Sequence, residues 1–429
     1  MAKREISHLD LKIKFLNEYL NSGGIKKIPD PNLLQELIDI KFDHNGKANP
    51  ESISPRVNAF MMALLGSQLQ PPYYSKDFIS EYSSILQKSK CFDQINIDTI
   101  EEFDKIYDEY KSKEDMLFRG QRESKWRLYS NLQRNWILNK LYDEENSFEE
   151  FLDKLVTNGK TDYEENIKKI LSEHNIDSLN AISILGFLQH HSCPTPLLDW
   201  TYKFQNALFF GLDGLEGNQG AKEIDDYFSL FHIEEEYMGE GGMRKLVDGS
   251  LDEVGQSLAI ELIAKIAKDD KQRLEMEEHF KGRSLIDKEK VFGSGLVKFV
   301  TEVKHMVNIP ISFFSDKDAE SGFIFSLNNS KNIQNQVGVF TWNADPIKPL
   351  EIIGNEQYLE AKDDDEPEEY RFCSCFNINK KLAPHIIKRL EEDGITREYI
   401  YPTPEMNTWE VYEKSRVKPA VNKGELNKK

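Results

Sequence analysis

A connection between two apolar segments, residues 188–201, constrains this chain more than any other stretch. Residues 178–191 are apolar nearly all round, which predicts a buried helix, and residues 206–212 form a second apolar segment. Pro194 and Pro196 exclude a helix at the start of the connection, because proline lacks the amide hydrogen that a helix interior requires. The connection also carries two histidines, an aspartate and a tryptophan. We therefore expect it to be packed between two buried segments and to line a site.

The order of the predicted elements indicates an α+β fold. Apolar residues at helical spacing predict helices over residues 1–20, 32–42, 55–68 and 78–87. Asp98 and Thr99 predict the N-cap of a further helix, and the short apolar run 115–120 predicts a strand. Helices are also predicted over 124–175, 251–280 and 384–393, and strands over 227–233, 307–314, 322–327, 337–342, 350–353 and 370–378.

These elements divide the chain into three parts. We expect a helical N-terminal unit over residues 1–95, which is the candidate surface for a protein partner. Residues 96–415 are predicted to form an α+β domain with a mixed or antiparallel sheet and large helical insertions. Residues 416–429 are predicted to be a flexible basic tail.

Composition excludes several classes of function. The formal net charge of −19 argues against a surface that grips nucleic-acid phosphates. The apolar stretches are too short or too interrupted to cross a bilayer, and the first residues are charged rather than apolar. The four cysteines lack zinc-type spacing, which predicts reduced thiols and no metal site. Together these features predict a cytoplasmic protein that does not bind a membrane and for which nucleic acid is not a favoured partner, although the net charge does not exclude a local basic cleft.

A second string of interest, Phe118-Arg119-Gly120-Gln121, ends the strand predicted at 115–120. Binding and catalytic residues commonly lie where a rigid element gives way to a loop. We therefore expect this string and the 188–201 connection to meet in space and to line one pocket.

The two strings and the residues after them resemble the FRG domain, a family of bacterial and phage proteins named for its Phe-Arg-Gly string. The resemblance spans about residues 97–345 and extends toward Tyr401. The residues that carry it are, in chain order, Phe118-Arg119-Gly120-Gln121, Trp126, Leu128, Arg134, Gln189-His190, Pro194-Thr195, Leu197-Leu198-Asp199-Trp200-Thr201, Ala207-Leu208-Phe209-Phe210, Gln336, Gly338, Phe340 and Thr341.

The resemblance implies a bacterial effector with a toxin or phage-defence role. An aromatic-Arg-Gly string at a strand end is also loosely similar to the first motif of ADP-ribosyltransferases, in which the arginine helps to hold NAD. NAD is therefore the candidate cofactor or substrate. Three positions depart from the family pattern: Ser192 stands where glycine is usual, Pro196 where a basic residue is usual, and Val337 where a second glutamine is often found. If glycine is needed for the turn, Ser192 requires a different turn or a strained backbone.

Three residues are candidate catalytic groups, and each has a structural alternative. Arg119 could clamp a phosphate or a carboxylate with its planar guanidinium, or form a buried pair with Asp199. His190 could act as a general acid or base or bond a ribose hydroxyl, or it could cap a helix C-terminus. Asp199 could support catalysis as an acid, or lock the loop through the partner that a buried carboxylate requires.

Four further residues are candidate ligand-binding groups. Gln121 could recognise an amide or a ribose, or bond the backbone. Thr195 and Gln336 are assigned to the pocket from their places in the motifs. Trp200 could stack on a nicotinamide or adenine ring, although tryptophans more often pack in a core.

A late-strand glutamate would be expected in an ADP-ribosyltransferase. The corresponding place here, residues 334–336, reads Gln-Asn-Gln, and this argues against ordinary transferase chemistry. Glu351 and Glu369 lie on or beside later predicted strands, but nothing singles them out. Two functions therefore stay open. In the first, the pocket binds a nucleotide-like ligand such as NAD and either modifies it or transfers a group from it. In the second, the chain is a non-enzymatic sensor or adaptor whose N-terminal helices bind a protein.

Overall fold

The computed structural model describes most of the chain between residues 31 and 416. The described ranges are 31–41, 49–68, 74–144, 147–176, 179–215, 220, 222–233, 243–281, 297–298, 301–316, 324–360, 371–402 and 406–416. The helix predicted over residues 1–20, the acidic run near residue 365 and the C-terminal tail lie outside these ranges.

One mixed sheet organises the described part of the chain. Its strands run in the order β1-β7-β4-β2-β3-β6-β5, with β1 parallel to β7 and every other neighbouring pair antiparallel. The strands are β1 Asp93–Ile97, β2 Leu117–Gln121, β3 Leu197–Thr201, β4 Tyr227–Ile233, β5 Ile311–Phe314, β6 Gly338–Asn343 and β7 Ser374–Asn379.

Helices precede, interrupt and follow the strands. In the first half of the chain they are α1 Pro31–Ile38, α2 Pro55–Gln68, α3 Ile85–Lys88, α4 Ile100–Tyr110, α5 Asn131–Leu138, α6 Leu141–Glu144, α7 Phe148–Glu173, α8 Ala181–His190 and α9 Phe204–Leu212. In the second half they are α10 Met243–Ile266, α11 Asp270–Phe280, α12 Val303–Met306, α13 Lys331–Gln336, α14 Leu350–Glu360, α15 Ala383–Glu392, α16 Arg397–Ile400 and α17 Trp409–Ser415.

Two separate clusters of buried side chains cover one face of the sheet. Helices α7, α8 and α17 pack with β3 and β6 in the first cluster, through residues such as Leu188, Leu197 and Phe340. Helices α4, α9 and α15 pack with β2, β4 and β7 in the second, which contains Phe118 and Leu208. Phe118 pairs with Thr201 across β2 and β3, so the two clusters meet at this boundary. The opposite face is covered by a third cluster, which includes Trp200.

The predicted fold class, α+β with a mixed sheet and large helical insertions, is confirmed. The strand at 227–233 and the helix at 55–68 have the predicted bounds. The helix that begins after Thr99 is also confirmed, because Thr99 and Glu102 form a capping box. No helix in the described ranges is long and apolar enough to cross a membrane.

Several element predictions were wrong. Residues 350–353 belong to helix α14 rather than to a strand, because Pro349 and the following residues begin a helix. Residues 324–327 form no strand, since the Asp316 carboxylate accepts the backbone N–H groups of Phe325 and Leu327. The helix predicted over 78–87 is reduced to α3. The helix predicted over 251–280 is broken into α10 and α11, and Asp269 caps the second.

Two strands of the sheet, β1 at its edge and β3 in its interior, were not predicted. β1 crosses the boundary predicted at residue 95 and pairs with β7 over its whole length. β3 falls within the 188–201 connection, which was expected to be a loop. The division into an N-terminal unit, a domain and a tail stays a prediction.

Candidate functional site

The sheet is nearly split between β2 and β3. β2 pairs with β4 at five positions and β3 pairs with β6 at five positions. Within the described residues, β2 and β3 themselves share only the pair Phe118 and Thr201. The strands therefore diverge beyond this pair, and backbone groups that would bond across an intact sheet need other partners.

Arg119 provides one of those partners. Its guanidinium Nη1 donates a hydrogen bond of 2.5 Å to the backbone oxygen of Asp199 on β3. A side chain thus replaces the backbone N–H that a closely paired strand would supply. Burial lowers the pKa of Arg119, and Arg134 lowers it further, while the Asp199 charge opposes both. Arg119 is therefore a partly buried cation that ties the two halves of the sheet together.

Gly120 allows helix α9 to lie directly on β2. A Cβ atom at this position would stand 1.8 Å from the backbone oxygen of Ala207 and 2.5 Å from the backbone nitrogen of Gly211. No side chain fits in that space. The glycine therefore fixes how closely α9, including Phe210, approaches the split in the sheet.

A cavity of about 290 Å³ lies at the split. It is bordered by β2, the ends of α8 and α13, β3, α9, the first residues of β6 and the residue after α16. Its lining residues are Phe118, Arg119, Gly120, Gln189, His190, Ser192, Asp199, Trp200, Thr201, Phe210, Gln336, Gly338, Phe340 and Tyr401. The two strings that the sequence analysis singled out therefore meet around one cavity, as predicted.

His190 and Asp199 face each other across this cavity. The Nε2 atom of His190 lies 4.0 Å from Oδ1 of Asp199, which is too long for a hydrogen bond. The His190 side chain is only 8% exposed, and Phe340 packs against its ring. Burial lowers the pKa of His190, and Asp199 only partly offsets this effect. Near pH 7 the ring is therefore neutral, so charge–dipole attraction to the end of α8 does not explain its position.

The carboxylate of Asp199 has one satisfied oxygen and one free oxygen. Oδ2 accepts a hydrogen bond of 2.9 Å from Nε2 of Gln189, which comes from α8. Gln189 is held in turn by Thr195, whose hydroxyl donates to its side-chain oxygen. Among the described residues, Oδ1 of Asp199 has no hydrogen-bond partner, and the same holds for Nε2 of His190 and Nε of Arg119. Three buried polar atoms around one cavity are thus unpaired.

The remaining candidate ligand-binding residues differ in their positions relative to the cavity. Gln336 lines the cavity, and its side-chain nitrogen donates to the backbone oxygen of Ile400. Trp200 also borders the cavity, but its indole packs in the core on the opposite face of the sheet and donates to Thr341. Gln121 does not line the cavity, since its side-chain amide bonds the backbone oxygen of Trp126.

Thr195 does not line the cavity either, and it acts through Gln189. No sequence pattern by itself indicates a role for Gln189, Phe210 or Tyr401. Gln189 and Phe210 stood within the recognised motifs, which was a usable signal. Tyr401 follows α16, and its hydroxyl is held by Asp213 at 3.4 Å. Only the fold brings Tyr401 to the site.

Two departures from the FRG pattern coincide with left-handed backbone. Ser192 has a φ of 72° and Val337 a φ of 50°, a region in which residues other than glycine are uncommon. Of the two alternatives stated for Ser192, a different turn or a strained backbone, the positive φ corresponds to the strained backbone. Both residues flank the cavity, and strained backbone of this kind is frequent at functional sites.

Metal binding finds no support in the described ranges, which contain no group of three His, Cys, Asp or Glu side chains that could hold an ion. All four cysteines are buried and free. Burial raises the pKa of Cys193, the cysteine closest in sequence to the site residues, to about 12, so that thiol is protonated at neutral pH.

Comparison with known proteins identifies one domain. The family model of the FRG domain matches residues 114–219, which cover β2, α5 to α9 and β3. The chain therefore contains an FRG domain. No curated protein and no solved structure shows significant similarity to the chain. Ten of the fourteen residues that line the cavity lie in the matched region, and the other four, Gln336, Gly338, Phe340 and Tyr401, come from beyond it.

The neighbouring His191 leads to a prediction about pH. Burial, with a smaller effect from His190, lowers the pKa of His191 to about 4, and the ring packs on Phe187. Because its pKa in the unfolded chain is about 6.5, the unfolded state binds the proton more tightly and stability falls as pH drops from about 6.5 toward 4. Between pH 6.5 and pH 5 this group contributes a loss of up to about 2 kcal/mol.

Urea unfolding at a series of pH values measures this loss. The His191→Phe variant should show a shallower dependence over the same window, since the phenyl ring keeps the contact with Phe187 and cannot titrate. Equal slopes for the variant and the natural chain would contradict the prediction.

Proposed function

We propose that the cavity at the split in the sheet binds a nucleotide-like small molecule. The observation that carries the proposal is the set of three unpaired buried polar atoms, on Arg119, His190 and Asp199, that border one cavity. Buried polar groups in folded proteins nearly always have partners. A ligand that supplies those partners is the simplest physical reason for this arrangement.

The walls of the cavity support a ligand with a ring. Phe118, Phe210, Phe340 and Tyr401 provide aromatic surface beside the polar groups. Ligand sites typically combine such apolar walls with a few polar groups that fix orientation. The volume of about 290 Å³ lies just below the usual range of about 300–1,000 Å³. It therefore suits one ring-bearing part of a molecule, with the rest outside.

NAD is the first ligand to test. The similarity of the Phe-Arg-Gly string to the first motif of ADP-ribosyltransferases supports this choice, as does the place of the string at the end of β2. The toxin or phage-defence role that the FRG resemblance implies is part of the same proposal. In that role the chain would act on NAD, or on a target molecule through NAD.

The residues present also limit the chemistry. If the chain cleaves NAD, the bond between nicotinamide and ribose breaks, nicotinamide leaves with the bonding electrons, and water or an acceptor group adds to the ribosyl carbon and loses a proton. A carboxylate stabilises the positive charge that develops on the ribose. Asp199 is the only carboxylate among the described lining residues, and it occupies the place of the missing late-strand glutamate in this proposal.

Ligand-induced stabilisation tests the binding proposal. NAD at 100 times its Kd is expected to raise the free energy of unfolding by about 2.7 kcal/mol, measured as a rise in melting temperature. His190→Gln and Asp199→Asn should reduce that rise, while His191→Phe, one residue away but packed on Phe187, should keep it. Chromatographic detection of nicotinamide release then separates an enzyme from a sensor that only binds.

The controls make the outcome unambiguous. Circular dichroism of each variant without ligand shows whether it is folded before binding is measured. If NAD, AMP and adenosine all leave the melting temperature unchanged, a nucleotide ligand is ruled out. If NAD stabilises the protein without any release of nicotinamide, the sensor reading is favoured.

A further inference from the structure

We call the part of the cavity beside the solvent-shielded atoms of Arg119, His190 and Asp199 its inner end, and the polarity of this part is left open by the proposed function. It combines a carboxylate oxygen, a neutral imidazole nitrogen and a guanidinium N–H, all buried and unpaired. These groups differ in whether they donate or accept hydrogen bonds. Their arrangement therefore selects among the chemical groups that a nucleotide-like ligand could place there.

The distance between His190 and Asp199 fits one bridging atom. An oxygen about 2.8 Å from each of two atoms 4.0 Å apart would subtend an angle of roughly 90° at that oxygen. A hydroxyl oxygen can accept one hydrogen bond and donate another in such a geometry. It would donate its proton to Oδ1 of Asp199 and accept from Nε2 of His190 when that nitrogen carries the hydrogen.

Phosphate fits this place poorly for two reasons. A phosphodiester has no proton to offer Oδ1, a phosphate monoester is mostly dianionic at neutral pH, and the charge of either would be repelled by the Asp199 carboxylate. The cavity also lies at the carboxyl ends of helices α8 and α13, since His190 and Gln336 are the last residues of these helices. Helix carboxyl ends carry partial negative charge, which disfavours anions.

Arg119 does not reverse this preference. One of its terminal nitrogens is already bonded to the backbone oxygen of Asp199, so the guanidinium is fixed in the split of the sheet. Its unpaired Nε can donate a hydrogen bond to the oxygen of a neutral hydroxyl as well as to a phosphate oxygen, so Arg119 alone does not require an anionic ligand.

We infer that the inner end of the cavity recognises a hydroxyl group on an uncharged part of the ligand, bridged between His190 and Asp199, and that any phosphate of the ligand lies outside. This inference rests on the proposed nucleotide-binding function. It names a sugar hydroxyl as the group that the FRG cavity reads, and it makes His190 and Asp199 determinants of specificity.

Paired probes that differ only in their hydroxyls test the inference. Adenosine and 2′,3′-dideoxyadenosine are titrated into the full chain, and their Kd values are measured by calorimetry. Adenosine is expected to bind at least about tenfold more tightly, which corresponds to about 1.4 kcal/mol. Sodium phosphate at millimolar concentrations is expected not to compete with adenosine.

Variants assign the preference to the two residues. The ratio of the two Kd values should fall below about threefold in Asp199→Asn and in His190→Phe, because each removes one side of the bridge. The ratio should be kept in His191→Phe, the matched control. His190→Gln provides a second variant in case the phenyl ring disturbs folding, and circular dichroism checks each protein.

The outcomes distinguish this inference from the function on which it rests. If adenosine, AMP and NAD all fail to bind, both are overturned. If adenosine and 2′,3′-dideoxyadenosine bind with equal Kd, the hydroxyl inference alone is overturned and nucleotide binding stands. Competition by phosphate that strengthens in Asp199→Asn would place an anion at the inner end, and would also overturn the inference alone.

Discussion

Replacing Gly120 with alanine is expected to lower the free energy of unfolding by about 3 kcal/mol or more. The added Cβ atom would stand 1.8 Å from the backbone oxygen of Ala207, and a backbone atom cannot turn aside as a side chain can. Helix α9 would have to move away from β2, and Phe210 would move with it out of the cavity wall. Urea unfolding of the variant and the natural chain measures the loss.

Gly338→Ala is the matched control for this substitution. Gly338 lines the same cavity, but a Cβ atom there would meet nothing closer than a methyl group of Ile333 at 3.5 Å, an ordinary contact. We expect its stability to change by less than about 1 kcal/mol. Equal unfolding midpoints for Gly120→Ala and the natural chain would show that α9 does not rest on β2 as described.

The prediction gives the Phe-Arg-Gly string a physical explanation. Phe118 is fully buried in the cluster under α9, and Arg119 bonds across the split to β3. Gly120 lets α9 approach, and Gln121 ties the strand end to the backbone of Trp126. Each residue type thus has a role in holding the split sheet together, whether or not a ligand is bound.

Much of the fold followed from local patterns in the sequence. Helix α4 was predictable because its capping residues act on their own neighbours. β4 was predictable because five of its seven residues are aromatic, apolar or β-branched and stand in a short run. α14 was not, because Leu350–Ile353 is a run of apolar and β-branched residues broken only by Glu351, and such short runs suit either state.

The site could be predicted only in part for a similar reason. The motifs placed Arg119, His190 and Asp199 together correctly, because motif residues cluster at one place in a fold. The acceptor for Arg119 is a backbone oxygen, and no sequence pattern identifies a backbone partner. Tyr401 reaches the cavity from the C-terminal part of the chain, and long-range packing of this kind leaves no local signal.

Replacing Glu351 with glutamine is expected to lower the free energy of unfolding by about 3–5 kcal/mol. This loss is typical of a buried charge that is left without its partner. Glu351 and Arg127 form an ion pair of 2.8 Å in which neither side chain is exposed. The same carboxylate accepts from the Tyr82 hydroxyl at 2.6 Å and from the backbone N–H of Leu128. Burial is the largest single effect and lowers the pKa of Arg127, but the charges of Glu351 and Tyr82 and the hydrogen bond to Glu351 together outweigh it and raise the pKa above its ordinary value.

A double-mutant cycle separates the pair from its surroundings. Arg127→Met combined with Glu351→Leu removes both charges, so the double variant should lose less stability than the sum of the two single variants. Glu164→Gln is the control, because Glu164 pairs with Lys168 on the surface, and we expect its effect to stay below about 1 kcal/mol. Additive losses in the cycle would contradict the prediction.

The Glu351→Gln variant also tests whether Glu351 or Asp199 is the carboxylate that contacts the ligand. Glu351 is a residue of α14, which packs on the face of the sheet opposite to α8. Its carboxylate bonds Tyr82, Arg127 and Leu128, and it does not line the cavity. Folded Glu351→Gln protein should therefore bind adenosine with an unchanged Kd, whereas Asp199→Asn should not. If Glu351→Gln weakened adenosine binding as much as Asp199→Asn does, the carboxylate that serves the ligand would be Glu351, and the cavity between β2 and β3 would not be the binding site.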